Sequence, residues 1–251
     1  MSAPESVLFG QHAVRAALRY EPSRVVEAWV DARRRDARMR RLREQLSQLD
    51  CPVHSADRRT LDRLADGGAH QGVVVRYRGA QPRGDDELGE RLDDLAEPPL
   101  LLVLDQVQDP HNLGACLRTA EAAGVHAVIA PRDRAAGLTP VVHKVAAGAA
   151  GRVPFFQVTN LARTLRALRA RGIWLVGAAD AAEATLYESD LTGPLAVVLG
   201  AEGTGLRRLT REACDALVCI PMAGDVESLN VSVATGVMVF EAVRQRRCAV
   251  A

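Results

Sequence analysis

Short apolar runs alternating with helical stripes dominate the chain from residue 99 onward. Leu100–Leu104, Ala127–Ala130, Ile173–Gly177, Leu195–Leu199 and Ala216–Ile220 are apolar segments of strand length. Between them the apolar positions recur at helical spacing: Leu113–Ala123 (closed by Gly124), Val141–Ala150, Leu161–Arg171, a helix from Arg207 and a last one over Asn230–Arg246. This alternation predicts an α/β body with a mainly parallel sheet covered by helices. Residues 1–78 predict a smaller α/β unit. Its helices are Gln11–Arg19, an arginine-rich Arg33–Leu49 and a short one at Leu61–Leu64; its strands are Val25–Val30 and Gly72–Tyr77. The strip Gly79–Pro99 has glycine, proline and acid but little apolar periodicity. It is expected to be a mobile linker over 79–98, with a helical turn or more near Glu87–Leu95, so the domains divide as 1–78, 79–98 and 99–251.

Charge sharpens that division. The formal net charge is +1 overall, but it splits into +5 over 1–78, −5 over 79–98 and +1 over 99–251. A basic head is a modest sign of phosphate binding, or merely a solvated surface. The longest apolar stretch, Val231–Val243, is interrupted by Ser232, Thr235 and Glu241 and is too short to span a membrane. The first ten residues show no secretion signal, so a cytoplasmic protein is expected. Five scattered cysteines without a C-x-x-C pair, and six histidines without ligand spacing, predict neither disulfides nor a metal site.

Ligands of open parallel sheets gather beyond the carboxyl ends of the strands. Three loops hold that position: Asp105–Arg118 (DQVQDPHNLGACLR), Gly200–Leu206 (GAEGTGL) and Pro221–Asn230 (PMAGDVESLN). The glycine turn fails the dinucleotide fingerprint, because Arg208 stands where its last glycine should be, and no Walker motif occurs. Ser228 lacks a nucleophile-elbow context. Taken singly, each polar residue has an ordinary explanation. Ser228 and Asn112 would cap helices, Arg118 would be a surface arginine, and Glu202 would be exposed.

Taken together, the segments are informative. N-L-G-A-x-x-R-T-A at Asn112–Ala120, G-A-E-G-x-G-L at Gly200–Leu206 and I-P-M-x-G-x-V-x-S-L-N-V-S-V-A at Ile220–Ala234 resemble, in order, the three motifs of the SpoU/TrmH family of RNA 2′-O-methyltransferases. Gly10–Val14 (GQHAV) is similar to the start of that family's L30e-like substrate domain, and His143–Ala149 (HKVAAGA) matches a further stretch. The resemblance covers nearly the whole chain except the linker. Within the family it is nearest to the subgroup that methylates a guanosine ribose in 23S ribosomal RNA.

The resemblance implies a trefoil-knotted α/β catalytic domain, a homodimer with the site near its interface, and S-adenosylmethionine as cosubstrate. Gly200, Ile220 and Leu229, with Met222 and Gly177 as weaker candidates, would hold the cofactor. It makes Arg118 the catalytic residue, with Asn112, Glu202, Ser228 and Asn230 around it. A guanidinium is a poor general base because it stays protonated in proteins. Arg118 is therefore read as stabilising the developing alkoxide, or as pairing with an RNA phosphate that takes the proton, while Ser228 and Asn230 orient it or the ribose. The head would bring RNA through Arg15, Arg19, Arg33, Arg34 and Arg35. The partner is then 23S ribosomal RNA, free or in an assembling large-subunit particle. The rival readings are a transfer-RNA ribose methyltransferase of the same family, a resistance methyltransferase, and a non-catalytic RNA-binding factor on this fold.

Overall fold

The computed structural model describes residues 5–78 and 81–250, so the expected linker residues Gly79 and Ala80 lie outside the described residues. The chain divides into two compact units. One runs to Gln81 and also takes Leu138–Arg152; the other comprises Pro82–Gly137 and Val153 onward.

The first unit holds β1 (Glu5–Phe9), α1 (Gln11–Tyr20), β2 (Val25–Asp31), α2 (Ala37–Ser47), β3 (Val53–Ala56), α3 (Arg58–Leu64) and β4 (Val73–Arg78). Its sheet runs β1-β4-β2-β3, antiparallel except for the β2–β3 pair. Met39, Leu42 and Leu46 recur at helical spacing on α2 and are fully buried against Val30, Val73 and Val75. The expected helix at Arg33 starts later. Asp36 accepts a hydrogen bond from the Met39 amide at 3.1 Å and caps α2, leaving Arg33, Arg34 and Arg35 in the preceding loop. The expected Leu61 helix likewise begins at Arg58, where Asp57 caps the Thr60 amide at 2.8 Å.

In the second unit follow α4 (Asp85–Asp93), β5 (Leu100–Asp105), α5 (Pro110–Ala122) and β6 (Ala127–Pro131). The chain then contributes α6 (Pro140–Ala146) to the first unit before returning. The rest of the second unit is β7 (Phe155–Val158), α7 (Leu161–Ala170), β8 (Trp174–Ala178), β9 (Ala184–Thr185), β10 (Leu195–Gly200), α8 (Arg208–Ala213), β11 (Ala216–Cys219) and α9 (Val231–Val250). Its seven strands lie in the order β7-β6-β5-β10-β8-β11-β9, and every pair is parallel. The parallel sheet was expected; β7 and β9 were not. The expected helix to Ala150 stops at Ala146, because Ala147 turns left-handed at φ 52°.

The expected mobile linker is corrected from Arg83 onward. Arg83 exchanges backbone hydrogen bonds with Phe155 and Gln157 at 2.8 and 2.9 Å. Leu88 of α4 joins the core of Phe156, Leu165 and Leu168. Asp85 accepts from the Thr159 amide at 3.0 Å, and Asp93 pairs with Arg171 at 2.7 Å. The acids that looked like linker composition are in part the first turn of α4 (Asp85, Asp86, Glu87), where the helix dipole favours them.

One buried group of the first unit makes a pH prediction. Among the described residues His143 Nε2 and Glu21 Oε1 have no hydrogen-bond partner. Burial, with the Arg24 charge adding to it, pushes the His143 pKa down to about 4. The unfolded imidazole takes its proton near pH 6.5, so this unit is expected to lose stability as pH falls from 6.5 to 4, by at most about 3 kcal/mol. Glu21 opposes it: burial, partly offset by Arg24, raises its carboxyl, so the folded state takes that proton first as pH falls. Thermal midpoints of parent and His143→Phe between pH 7.5 and 4.5 test this. Parallel curves for the two proteins would sink the assignment.

Candidate active site at the strand-end loops

The chain leaves β5 on one side through β6 and β7, and β8 lies beyond β10 on the other. Such a reversal opens a crevice at the carboxyl ends of the two central strands. Gly200 at the end of β10 stands in register with Asp105 at the end of β5. From there Gln106 adopts φ 64°, uncommon for a residue with a side chain, and the backbone turns sharply. Asp109 then caps α5 through the His111 amide at 2.9 Å, with Pro110 as first helical residue. Asn112 is thus not the cap that the sequence allowed; it sits in the first turn, facing the loops.

The glycine turn folds back on itself. The Gly205 amide donates to Ala201 O at 2.9 Å, and Gly203 and Gly205 hold φ of 76° and 63°. Beneath it Asp105 is fully buried. Its carboxylate accepts from the Arg207 amide at 3.0 Å, from Arg207 Nε at 2.7 Å and from a terminal guanidinium nitrogen at 2.6 Å. Asp105 and Arg207 were missed in the sequence; the only signal was a carboxylate closing the apolar run LLLVLD.

The three loops meet at Glu202. Its Oε1 accepts from Asn112 Nδ2 at 3.0 Å, from Asn230 Nδ2, and from the Val231 amide at 3.4 Å. Asn230 Nδ2 also donates to Asn112 Oδ1 at 3.0 Å. Among the described residues Glu202 Oε2 is unengaged and open to a further donor. Asn230, not Ser228, caps the last helix: its Oδ1 accepts from the Ser232 amide at 2.9 Å and from the Ser232 hydroxyl. Both ends of the Asn230 amide are therefore occupied by contacts within the chain.

Ser228 and Arg118 stand outside this group. Both are exposed, and among the described residues neither has a hydrogen bond or ion pair. Six residues on from Asn112, at about 100° per residue, Arg118 is turned away from it on α5. Cys116 lies between them, buried, its thiol 3.3 Å from Thr235 Oγ1 on α9 and pushed up to about 11 by burial. It is packing, not a nucleophile.

The cofactor candidates follow the ends of adjacent strands. Gly200 closes β10, Ile220 follows β11 and Leu229 precedes α9; all three are half-buried, whereas Met222 is exposed. A Cβ on Gly200 would lie 2.1–2.4 Å from the backbone of Gly205 and Leu206. A Cβ on Gly177 would come within 2.9 Å of Cys214, Leu206 and Leu217, so this strand end is closely packed. Of the head arginines, Arg34 is engaged by Asp36 at 2.8 Å and by the Gln71 carbonyl, and Arg15 reaches the Arg38 carbonyl at 3.4 Å. Arg33 and Arg35 are exposed, as is Arg19, which has a partner of its own. Among the described residues no group of three or more His, Cys, Asp or Glu could hold a metal ion, and no helix is long and apolar enough to cross a membrane.

Residues 99–240, which contain all three loops, match the SpoU rRNA Methylase family. The chain belongs to the SpoU rRNA methylase family. A second match, to the RNA 2′-O ribose methyltransferase substrate-binding family, covers residues 7–83. This SpoU chain is 53% identical over 243 residues to the 23S rRNA (guanosine-2′-O-)-methyltransferase RlmB of Shewanella oneidensis, covering 97% of this chain and 98% of that one. The Pseudomonas putida protein of the same name is 55% identical over 240 residues, 96% of each chain. Among solved structures, the SpoU methyltransferase AviRb of Streptomyces viridochromogenes, in complex with AdoMet, superposes with TM-score 0.78 at 25% identity, over 97% of this chain and 91% of its own. The expected fold class, a SpoU-type methyltransferase domain behind a small substrate-binding domain, agrees with these neighbours.

Proposed function

We propose that this SpoU enzyme transfers a methyl group from S-adenosylmethionine to the 2′-hydroxyl of a guanosine ribose in 23S ribosomal RNA. The observation that carries the reading is the meeting of three motifs at Glu202, in a chain that aligns nearly end to end with relatives bearing that activity in their names. The residues present suit the cofactor. Gly200 closes β10, and Ile220 and Leu229 offer half-buried apolar contact, the surface an adenine ring needs. When bound, S-adenosylmethionine supplies an electrophilic sulfonium methyl. The chain's own residues do the rest. Asn112 and Asn230 saturate one oxygen of Glu202 and fix its orientation, leaving the other to accept a hydrogen bond from substrate. Arg118 places positive charge where the ribose oxygen becomes anionic, and the proton passes to an RNA phosphate beside it. Ser228, exposed in the loop before α9, offers its hydroxyl to the ribose.

The reading extends to a trefoil knot, a cytoplasmic location and a homodimer. For the dimer, the first half of α9 is mostly apolar: Ala234, Met238 and Ala242 are buried, while Val233 and Phe240 are 51% and 48% exposed on one stripe. A second copy would cover that stripe. Phe240→Glu is expected to convert a sedimenting dimer to monomer and to lower activity at least about tenfold. A variant that still sediments as the dimer would sink this assignment.

The function is tested by methyl transfer from labelled S-adenosylmethionine to 23S ribosomal RNA, and in parallel to bulk transfer RNA, each from cells lacking the enzyme. Label at a single 2′-hydroxyl of a 23S guanosine is the expected result. Label only in transfer RNA would overturn the substrate and keep the chemistry. Label in neither, even with assembling large-subunit particles, would favour the non-catalytic reading.

A further inference from the structure

A cavity of about 560 Å³ opens at the same rim of the second unit, lined by Pro131, Arg134, Asn160, Arg207 and Arg208 among others. Pro131 ends β6, and Asn160 follows β7 and caps α7. The cavity therefore begins one and two strands along from β5, about 5 and 10 Å from it. It lies on the opposite side of β5 from β8 and β11, the strands next to the candidate cofactor residues.

Its arginines are unequal. Arg207 is held on one edge by the fully buried Asp105, through Nε and one terminal nitrogen. Among the described residues the other terminal nitrogen is unengaged, and the side chain remains 42% exposed. A guanidinium fixed on one edge by a carboxylate keeps a preorganised pair of donors on another, the arrangement that matches a phosphate. Arg134 is exposed and has no hydrogen bond or ion pair among the described residues. Among the described residues Arg208 pairs only with Glu212, at 2.7 Å, on the open surface. Among the described residues Asp133 is the one acid lining the cavity, and it is exposed.

We propose that this cavity is a phosphodiester subsite for the substrate RNA strand, taking the backbone beside the nucleotide that is methylated. Arg207 is its fixed element, and Arg134 and Arg208 are its adjustable ones. The proposal rests on the RNA methyltransferase reading above. An anionic oxygen could also come from the cofactor's methionine carboxylate, but the cavity's place on the far side of β5 favours RNA.

The test uses the full chain with Arg134→Glu and Arg208→Glu, leaving Arg207 and its buried partner intact. Binding of a cell-free 23S ribosomal RNA transcript is measured by fluorescence anisotropy across salt concentrations, cofactor affinity by calorimetry, and KM and kcat by methyl transfer. Each charge reversal is expected to weaken RNA binding about fivefold or more at low salt and to flatten the dependence of log affinity on log salt by about 0.7. KM for RNA should rise with kcat and cofactor affinity unchanged, and Arg134→Lys should restore most of the binding. Parent-like RNA affinity and salt slope in both variants would overturn the subsite. Loss of cofactor affinity in step with RNA affinity would also overturn it, and would assign the cavity to the carboxylate. If the parent binds RNA in an arginine-dependent way but transfers no methyl group, the subsite stands and the methyltransferase reading falls.

Discussion

Arg118→Ala is expected to lower the methyl-transfer rate by about two to three orders of magnitude, with cofactor affinity and thermal midpoint unchanged. The size follows from removing a preorganised donor aimed at charge that develops only in the transition state. The neutrality of folding follows from the structure: among the described residues Arg118 is exposed and unpaired, so its loss breaks no hydrogen bond or ion pair within the chain. An exposed arginine with no hydrogen bond or ion pair among the described residues, two positions beyond buried Cys116, is free to meet a substrate. Arg118→Lys separates charge from geometry. Recovery of nearly full activity by lysine would show that charge alone suffices; an inactive lysine variant would show that the planar fork is needed. Near-parent activity in Arg118→Ala would remove this residue from the mechanism.

The largest expected effect on the structure of the site is that of Gly200→Ala. The added methyl would lie 2.1 Å from the Gly205 carbonyl carbon and 2.3 Å from its oxygen. These are backbone atoms of a turn already closed by the Gly205–Ala201 hydrogen bond and pinned through Arg207 to buried Asp105, so they have nowhere to retreat. Overpacking of this kind costs about 1–3 kcal/mol, and the upper end is expected here. Displacing the turn also carries Glu202 away from Asn112 and Asn230, so activity should fall beyond what the stability loss explains. Gly203→Ala is the control. No atom lies within 4 Å of its added Cβ, and only the left-handed φ of 76° opposes the change, at about 1 kcal/mol. Urea unfolding and cofactor titration of both variants measure the difference. Equal stability and equal cofactor affinity for the two would contradict the packing argument.

These two residues show how unevenly the site was legible. Arg118 stood out through a motif, and its lack of a partner could only be seen once the chain was folded. Gly200 was noticed for the cofactor, yet the atoms that exclude a side chain there belong to its own turn. Asp105 and Arg207 are far apart in sequence, and neither residue type carries any mark of burial. Ser228 was expected to cap the last helix, and hydrogen-bond geometry shows Asn230 in that place. The acidic strip misled because the same acids suit a solvated linker and a helix N-terminus; the docking of Leu88 decided between them.

By itself the amino-acid sequence determined the parallel body, because a strand buried on both faces must be an unbroken apolar run, and such runs are visible without a partner. It also determined the α/β head and the three loops at strand ends, since glycine turns and polar motifs are local in the chain. Tertiary structure alone decided which polar groups are partners. The hydrogen bonds that join Asn112, Glu202 and Asn230 link residues 28 to 118 positions apart. It alone decided that the short β7 joins the sheet, that residues 82–98 belong to the body, and that Asp105 is a buried anchor beneath the glycine turn. The reason is the same in each case: local pattern sets which elements form, whereas burial and pairing depend on neighbours that the chain brings together only by folding.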